Sequence, residues 1–163
     1  MTTIRTATLN DVEGIYSLIE ATRQRVECFS QRTREYIGEN IAGFVVAEED
    51  GRIIGNGQIL VLPIDDTSEI RSMCVDFASQ SRGVGTKILE ALIGKATTNI
   101  ILVECVPHNR VFYEKCGFKP IGALRDIYEQ KAPKDLYEAI KSFPSKCARF
   151  PDQCPGIILS KNV

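Results

Sequence analysis

Gln80-Ser81-Arg82-Gly83-Val84-Gly85-Thr86 stands between an apolar, strand-like run (Ser68 to Val75) and an amphipathic run (Val84 to Thr97). Read physically, it is a tight glycine turn that feeds a helix N-terminus. The first amides of a helix have no carbonyl four residues back, and the positive end of the helix dipole lies behind them. That arrangement suits an anion, most often a phosphate. Gly83 and Gly85 carry no Cβ, so a ligand can approach the backbone closely. Arg82 adds a fixed charge able to fork onto phosphate oxygens. Two familiar phosphate motifs do not fit. A dinucleotide fingerprint needs a third glycine at position 88, where Ile88 stands, and Gly85-Thr86-Lys87 reverses the order that a P-loop requires.

Around this turn the chain alternates strands and helices. Thr3 to Thr6 reads as a first strand, and Asn10-Asp11 as the cap of a helix with Val12, Ile15, Leu18 and Ile19 at helical spacing. A more polar helix is expected from Arg32 to Ile41. Phe44 to Glu49 and Arg52 to Leu62 are strands joined through Asp50-Gly51, a strong hairpin signal. A loop from Pro63 to Thr67 leads to the strand that delivers the glycine turn. Val84, Ile88, Leu89, Leu92 and Ile93 mark the buried side of the next helix. Ile100 to Val106 is an apolar, branched run expected in the sheet interior, and the strand–helix–strand order points to a right-handed parallel unit. A short helix ending at Gly117 follows. Beyond Gly122, an extra helix is expected from Lys131 to Phe143, then a Pro- and Cys-bearing loop to Pro155, and a closing strand from Gly156 to Lys161.

Composition bounds the function. The chain has 163 residues, 44% of them hydrophobic, which suits one well-buried domain. Lys and Arg number 20 against 21 Asp and Glu, so nothing suggests nucleic acid or an anionic membrane as partner. The N-terminal residues carry no apolar leader and no run reaches membrane-spanning length. Six scattered cysteines suit reduced thiols. A cytoplasmic protein is expected.

The pattern Gln-x-x-Gly-x-Gly resembles the pyrophosphate-binding motif of the GNAT superfamily of acyl-CoA-dependent N-acetyltransferases. A second stretch is more specific. Pro107-His-Asn-Arg-Val-Phe-Tyr-Glu-Lys-Cys-Gly-Phe118, behind an apolar strand, is similar to the closing motif of that superfamily. The two motifs stand in the expected order, and the resemblance covers roughly residues 3 to 124. One departure is the spacing: Asn109 and Phe112 are three apart, as in the shortened form of glucosamine-6-phosphate N-acetyltransferases. The Glu69-Ile-Arg71 segment and the Cys147 to Cys154 tail resemble N-acetylglutamate-synthase-like members.

The resemblance implies an α/β fold: one domain with a GNAT-like mixed, mostly antiparallel splayed sheet and helices on both faces. It would have a core at 3–124, an insertion at 125–155 and a closing strand at 156–162. It also implies acetyl-CoA as donor and a small-molecule amine as acceptor. Gln80 and the backbone from Arg82 through Gly83, Val84, Gly85 and Thr86 to Lys87 would hold the pyrophosphate, with Asn109 also on the donor. The strand edge at Met73, Cys74 and Val75 would pair with the pantetheine arm, and an amide near Val75 would stabilise the oxyanion. Tyr113 matches the superfamily's tyrosine and would protonate the leaving thiolate, a phenol being protonated at neutral pH. Candidate bases are Glu69, Glu104 and His108, with Glu69 preferred.

Arg71, Arg32 and Arg34 would bind an acidic group of the acceptor. A carboxylate, as in glutamate, leads, and a sugar phosphate is the alternative. A non-catalytic acyl-CoA-binding module is the alternative of another class. Cys105 and Cys116 read as structural thiols. No metal is expected, because the six residues between Cys147 and Cys154 are not a zinc-knuckle spacing. Oligomeric state is not legible, although an exposed closing strand could pair between subunits in a homodimer.

Overall fold

The computed structural model describes residues 1–26, 29–63, 66–123 and 157–163. The expected helix at Lys131 to Phe143 and the Cys147–Cys154 loop lie outside the described residues. Among the described residues seven strands form one sheet in the order β1-β2-β3-β4-β5-β7-β6. The chain divides into two compact units: residues 1–60 with 70–96, and residues 61–69 with 97–163.

In the first unit, β1 (Thr3–Thr6) and β3 (Arg52–Val61) flank β2 (Phe44–Glu49), both antiparallel to it. Asp50 and Gly51 both take positive φ, 52° and 75°, which matches the right-handed twist of a two-residue hairpin. Helix α1 (Val12–Arg23) buries Ile15, Leu18, Ile19 and Thr22, the stripe that a 3.6-residue period requires. Ile15, Leu18 and Ile19 join Ile37, Phe44, Val46 and Cys74 in one apolar cluster. Ile37 comes from α2 (Arg34–Glu39), whose N-cap Thr33 accepts a hydrogen bond from the Tyr36 amide at 3.1 Å.

The entry to α1 differs from the sequence expectation. The Asp11 carboxylate does not cap that helix; it turns back to accept from the Thr8 amide at 2.7 Å and from both terminal nitrogens of Arg5, at 2.7 and 2.8 Å. Arg5 also holds Glu48 at 2.6 Å, so one guanidinium ties β1, β2 and the start of α1 together. The hydrogen bonds from Arg5 hold the Asp11 carboxyl at about 2, below its ordinary 3.8, and its side chain is only 8% exposed. A carboxyl with a lowered folded-state value stabilises the fold above its unfolded value and loses that contribution as pH falls toward the folded one. Unfolding free energy is therefore expected to drop by about 2 kcal/mol between pH 4 and pH 2 through this group. In urea titrations Asp11→Asn should lack that part of the pH dependence; an unchanged profile would remove the assignment.

Helix α3 (Val84–Gly94) buries Val84, Ile88, Leu89 and Leu92. It stops three residues before the amphipathic run ends, at Gly94, short of the β-branched Thr97 and Thr98. Two glycines of β3 let it approach the sheet. A Cβ on Gly55 would stand 2.7 Å from Ile88 Cδ1, and one on Gly57 2.7 Å from Leu92 Cδ1.

The second unit contains β5 (Ile100–Cys105), α4 (Arg110–Lys115), β6 (Lys119–Ala123) and β7 (Ile157–Asn162). Strand β4 (Thr67–Val75) gives residues 67–69 to this unit and 70–75 to the first. The closing strand is not exposed as expected. β7 runs between β5 and β6, antiparallel to both, with Leu159 fully buried. Its two edges are taken, so it has none to offer a second subunit. No helix among the described residues is long and apolar enough to cross a membrane.

Candidate active site

In the first unit, β4 ends at Val75 and a 3-10 turn (Phe77–Ser79) leads to the glycine stretch. The Gln80 side chain donates from Nε2 to the Val75 carbonyl at 3.1 Å, which fastens the turn to the strand end. Ser81 takes φ 61°, and Gly83, the N-cap of α3, takes φ 75° with ψ 4°. Glycine alone adopts that conformation without strain. The first helical bond runs from Lys87 N to Gly83 O at 3.2 Å, so the amides of Val84, Gly85 and Thr86 have no carbonyl four residues back within the helix. Gly83 has nothing within 4 Å on its Cβ side. Three amides, a helix dipole and open backbone at Gly83 meet what a phosphate needs.

Arg82 is not the unshared cation that the sequence suggests. Its two terminal nitrogens fork onto Glu49 at 3.0 and 2.7 Å and hold that carboxyl at about 2. Lys87 is exposed one turn into the helix.

Strand β4 carries an irregularity that the sequence does not announce. Ser72 takes φ 50° in mid-strand, and Asn56 of β3 donates from Nδ2 to the Ser72 carbonyl at 2.7 Å. A residue in this conformation interrupts regular pairing and re-aims the strand that follows. The next residues are Met73, Cys74 and Val75. The Cys74 thiol points into the apolar core, donates to Asn56 Oδ1 at 3.4 Å, and is pushed up to about 12 by burial. Any ligand role for Cys74 therefore falls to its backbone. Arg71 is half-buried on the same strand.

The Arg32/Arg34 pair is split between different partners. Arg34 forks onto Glu13 at 2.7 and 2.8 Å and lies 3.6 Å from the Tyr16 ring centre, bracing α2 against α1. The Arg32 guanidinium stacks over the Tyr36 ring at 5.1 Å and donates to the Gln31 carbonyl at 2.8 Å.

In the second unit, Glu69 is buried at 3% exposure, and Glu104 is half-buried on β5. His108 and Asn109 are exposed in the 3-10 turn before α4. Tyr113 is 7% exposed, edge-on to Phe112 at 5.0 Å and to Phe118 at 5.9 Å. Gly117, at φ 89°, ends α4: its amide donates to Glu114 O and the Phe118 amide to Tyr113 O, the paired bonds of a Schellman cap. That cap returns Phe118 onto the tyrosine ring and fixes its orientation. Burial pushes the Cys105 thiol up to about 11, which makes it a poor nucleophile. Among the described residues no group of three or more His, Cys, Asp or Glu could hold a metal.

Residues 40–120, which carry the glycine turn and Tyr113, match the acetyltransferase (GNAT) domain. The chain belongs to the GNAT family. Over 127 residues it is 27% identical to an amino-acid acetyltransferase from Azotobacter vinelandii, an alignment that takes in 75% of this chain and 28% of that protein. The chain thus spans little more than a quarter of the curated relatives it matches first. Its fold is that of the N-acetylglutamate synthase from Neisseria gonorrhoeae, solved with coenzyme A and N-acetyl-glutamate, at TM-score 0.78 and 21% identity over 99% of this chain and 35% of that one. A Mycobacterium tuberculosis protein solved in complex with CoA superposes at TM-score 0.76 and 22% identity, over 99% of both chains.

Within this GNAT fold, sequence reasoning missed Glu49, Asn56, Gln58 and Ser72. The one signal, for Asn56 and Gln58 alone, is the run Gly55-Asn56-Gly57-Gln58, which alternates absent and polar side chains inside a buried strand.

Proposed function

We propose that the chain is an N-acetyltransferase that moves the acetyl group of acetyl-CoA to the primary amine of an amino acid, glutamate or a close relative. The observation that carries this reading is the left-handed Gly83 turn at the N-terminus of α3. Acetyl-CoA supplies an activated acetyl thioester, and the chain's own residues do the rest. Gln80 and the amides from Arg82 to Thr86 bind the pyrophosphate, with the exposed Lys87 side chain and Asn109 beside the donor. Arg82 stays paired with Glu49 and positions the turn. The backbone of Met73 to Val75, re-aimed by the Ser72 irregularity, lines the thioester arm, and the Val75 amide donates to the developing oxyanion. Tyr113 holds the proton that the leaving sulfur takes. Glu69 removes the amine proton, directly or through water. Arg71 and Arg32 bind the acceptor carboxylate, while Arg34 has a bracing role on Glu13. The single-domain reading and a cytoplasmic setting belong to the same proposal.

The test is acetyl-CoA turnover against glutamate, other amino acids, glucosamine-6-phosphate and polyamines, with products resolved by chromatography. Turnover is expected with a carboxylate-bearing amino acid. A preference for the sugar phosphate would transfer the arginines to phosphate binding, and acetyl-CoA binding without turnover of any amine would favour a binding module.

A further inference from the structure

Successive residues of β3 face opposite sides of the sheet. Gly55 and Gly57 lie under α3, while the Tyr36 hydroxyl of α2 reaches Gln58 and the Cys74 thiol reaches Asn56. Asn56 and Gln58 are two primary amides in a row, each fully buried. A buried amide left without a partner loses its hydrogen bonds to water with nothing in return, so both ends are normally satisfied. Asn56 conforms: its NH₂ donates to the Ser72 carbonyl and its oxygen accepts from Cys74. Gln58 does not. Its oxygen accepts from the Tyr36 hydroxyl at 3.0 Å, but its Nε2 is buried with no partner among the described residues. The Ser72 hydroxyl, on the irregularity that Asn56 holds, is also buried with no partner among the described residues. The other face of Tyr36 carries a cation, since the Arg32 guanidinium lies over its ring.

A two-proton donor fixed in place by Tyr36, with a guanidinium on the same tyrosine, has the chemistry of a carboxylate site. A carboxylate only accepts hydrogen bonds, and bonds to it are charge-assisted. We propose that Gln58 determines acceptor specificity: its Nε2 donates to a carboxylate oxygen of the acceptor amino acid, with Arg32 supplying the opposite charge. This rests on the amino-acid reading above. An acceptor without that carboxylate leaves the amide unpaired, and a site built to hydrogen-bond its substrate rejects such analogues strongly. Gln58 is buried, so the acceptor reaches it past the half-exposed Tyr36 and Arg32.

The experiment measures kinetics for glutamate and its two monoamides with wild-type protein, Gln58→Met and Gln58→Glu, and checks each variant by thermal unfolding. Gln58→Met is expected to raise the acceptor KM about tenfold or more, with kcat and the acetyl-CoA KM within about threefold. Gln58→Glu keeps the size and the bond from Tyr36 but presents an acceptor. It should shift the kcat/KM ratio from the free acid toward one monoamide by at least about tenfold, because a carboxamide can donate where a carboxylate cannot. The monoamide favoured tells which carboxylate Gln58 holds. A purely structural glutamine would not invert that preference. Should Gln58→Met not fold, Gln58→Glu carries the test alone. Unchanged acceptor KM and acid-to-amide ratio in the folded variants would overturn the inference and leave the proposed function standing. Wild-type protein that acetylates other amines and no amino acid would overturn both.

Discussion

Tyr113→Phe is expected to lower kcat about a hundredfold while leaving acetyl-CoA affinity within about twofold. The substitution removes one oxygen and keeps the ring. The ring does the packing: it lies edge-on between Phe112 and Phe118, in an orientation set by the Gly117 cap. Loss of a hydroxyl hydrogen bond should change stability by only about 1 kcal/mol, so the variant remains folded at assay temperature. Without the phenol, the departing sulfur must leave as a thiolate or find a proton in solvent. Steady-state rates with acetyl-CoA binding by calorimetry separate the two effects. A kcat within about threefold of wild type would dismiss Tyr113 as the acid and leave it a packing residue.

The second large effect is expected from Gly55→Val, a residue that touches no ligand. A Cβ there would meet Ile88 Cδ1 at 2.7 Å, Val84 Cγ1 at 3.3 Å and the Cys74 carbonyl at 3.4 Å. The Ile88 terminus can rotate away from one methyl, so Gly55→Ala should be mild. Valine adds two more carbons toward Val84, the first residue of α3 and the neighbour of Gly83. Overpacking of this kind costs about 1–3 kcal/mol. The helix relieves it by lifting its N-terminal turn from β3, which moves the Val84, Gly85 and Thr86 amides together. Acetyl-CoA affinity should therefore fall about tenfold or more, beyond what the lower stability explains, because a phosphate site needs its donors held to a fraction of an ångström. Calorimetry below the melting temperature is the measurement. Full affinity in a destabilised variant would show that the turn is held by something other than α3 packing on β3.

What was legible in the sequence was local. Asp50-Gly51 demands one kind of hairpin wherever it stands, and Ile15, Leu18 and Ile19 repeat at helical spacing inside a single element. The glycine turn is legible for the same reason, since Gly83 and Gly85 stand directly between a strand-like run and a helix-like run. What escaped depends on partners distant in the chain. Nothing near Arg34 says that Glu13 will take its guanidinium, and nothing near Arg82 points to Glu49. Ser72 is not a residue that seeks a left-handed conformation; Asn56 holds its carbonyl there from the neighbouring strand. Gly55-Asn56-Gly57-Gln58 reads as a strand in any case. That its glycines admit a helix and its Gln58 meets Tyr36 of α2 follows only once the helices are in place. The same limit explains β7: its residues mark a strand, but strand order is not a local property, so its place between β5 and β6 could not be read.

The placement of β7 also constrains how the chain can be assembled. β5 and β6 are made before the strand that separates them. A growing polypeptide that lets β5 and β6 zip together closes the gap that β7 needs and has to reopen it. Pairing across so long an interval is slow, and unpaired strand edges invite association with other chains in the meantime. Completion of the second unit is therefore expected to wait on β7, and yield on expression should depend on that step.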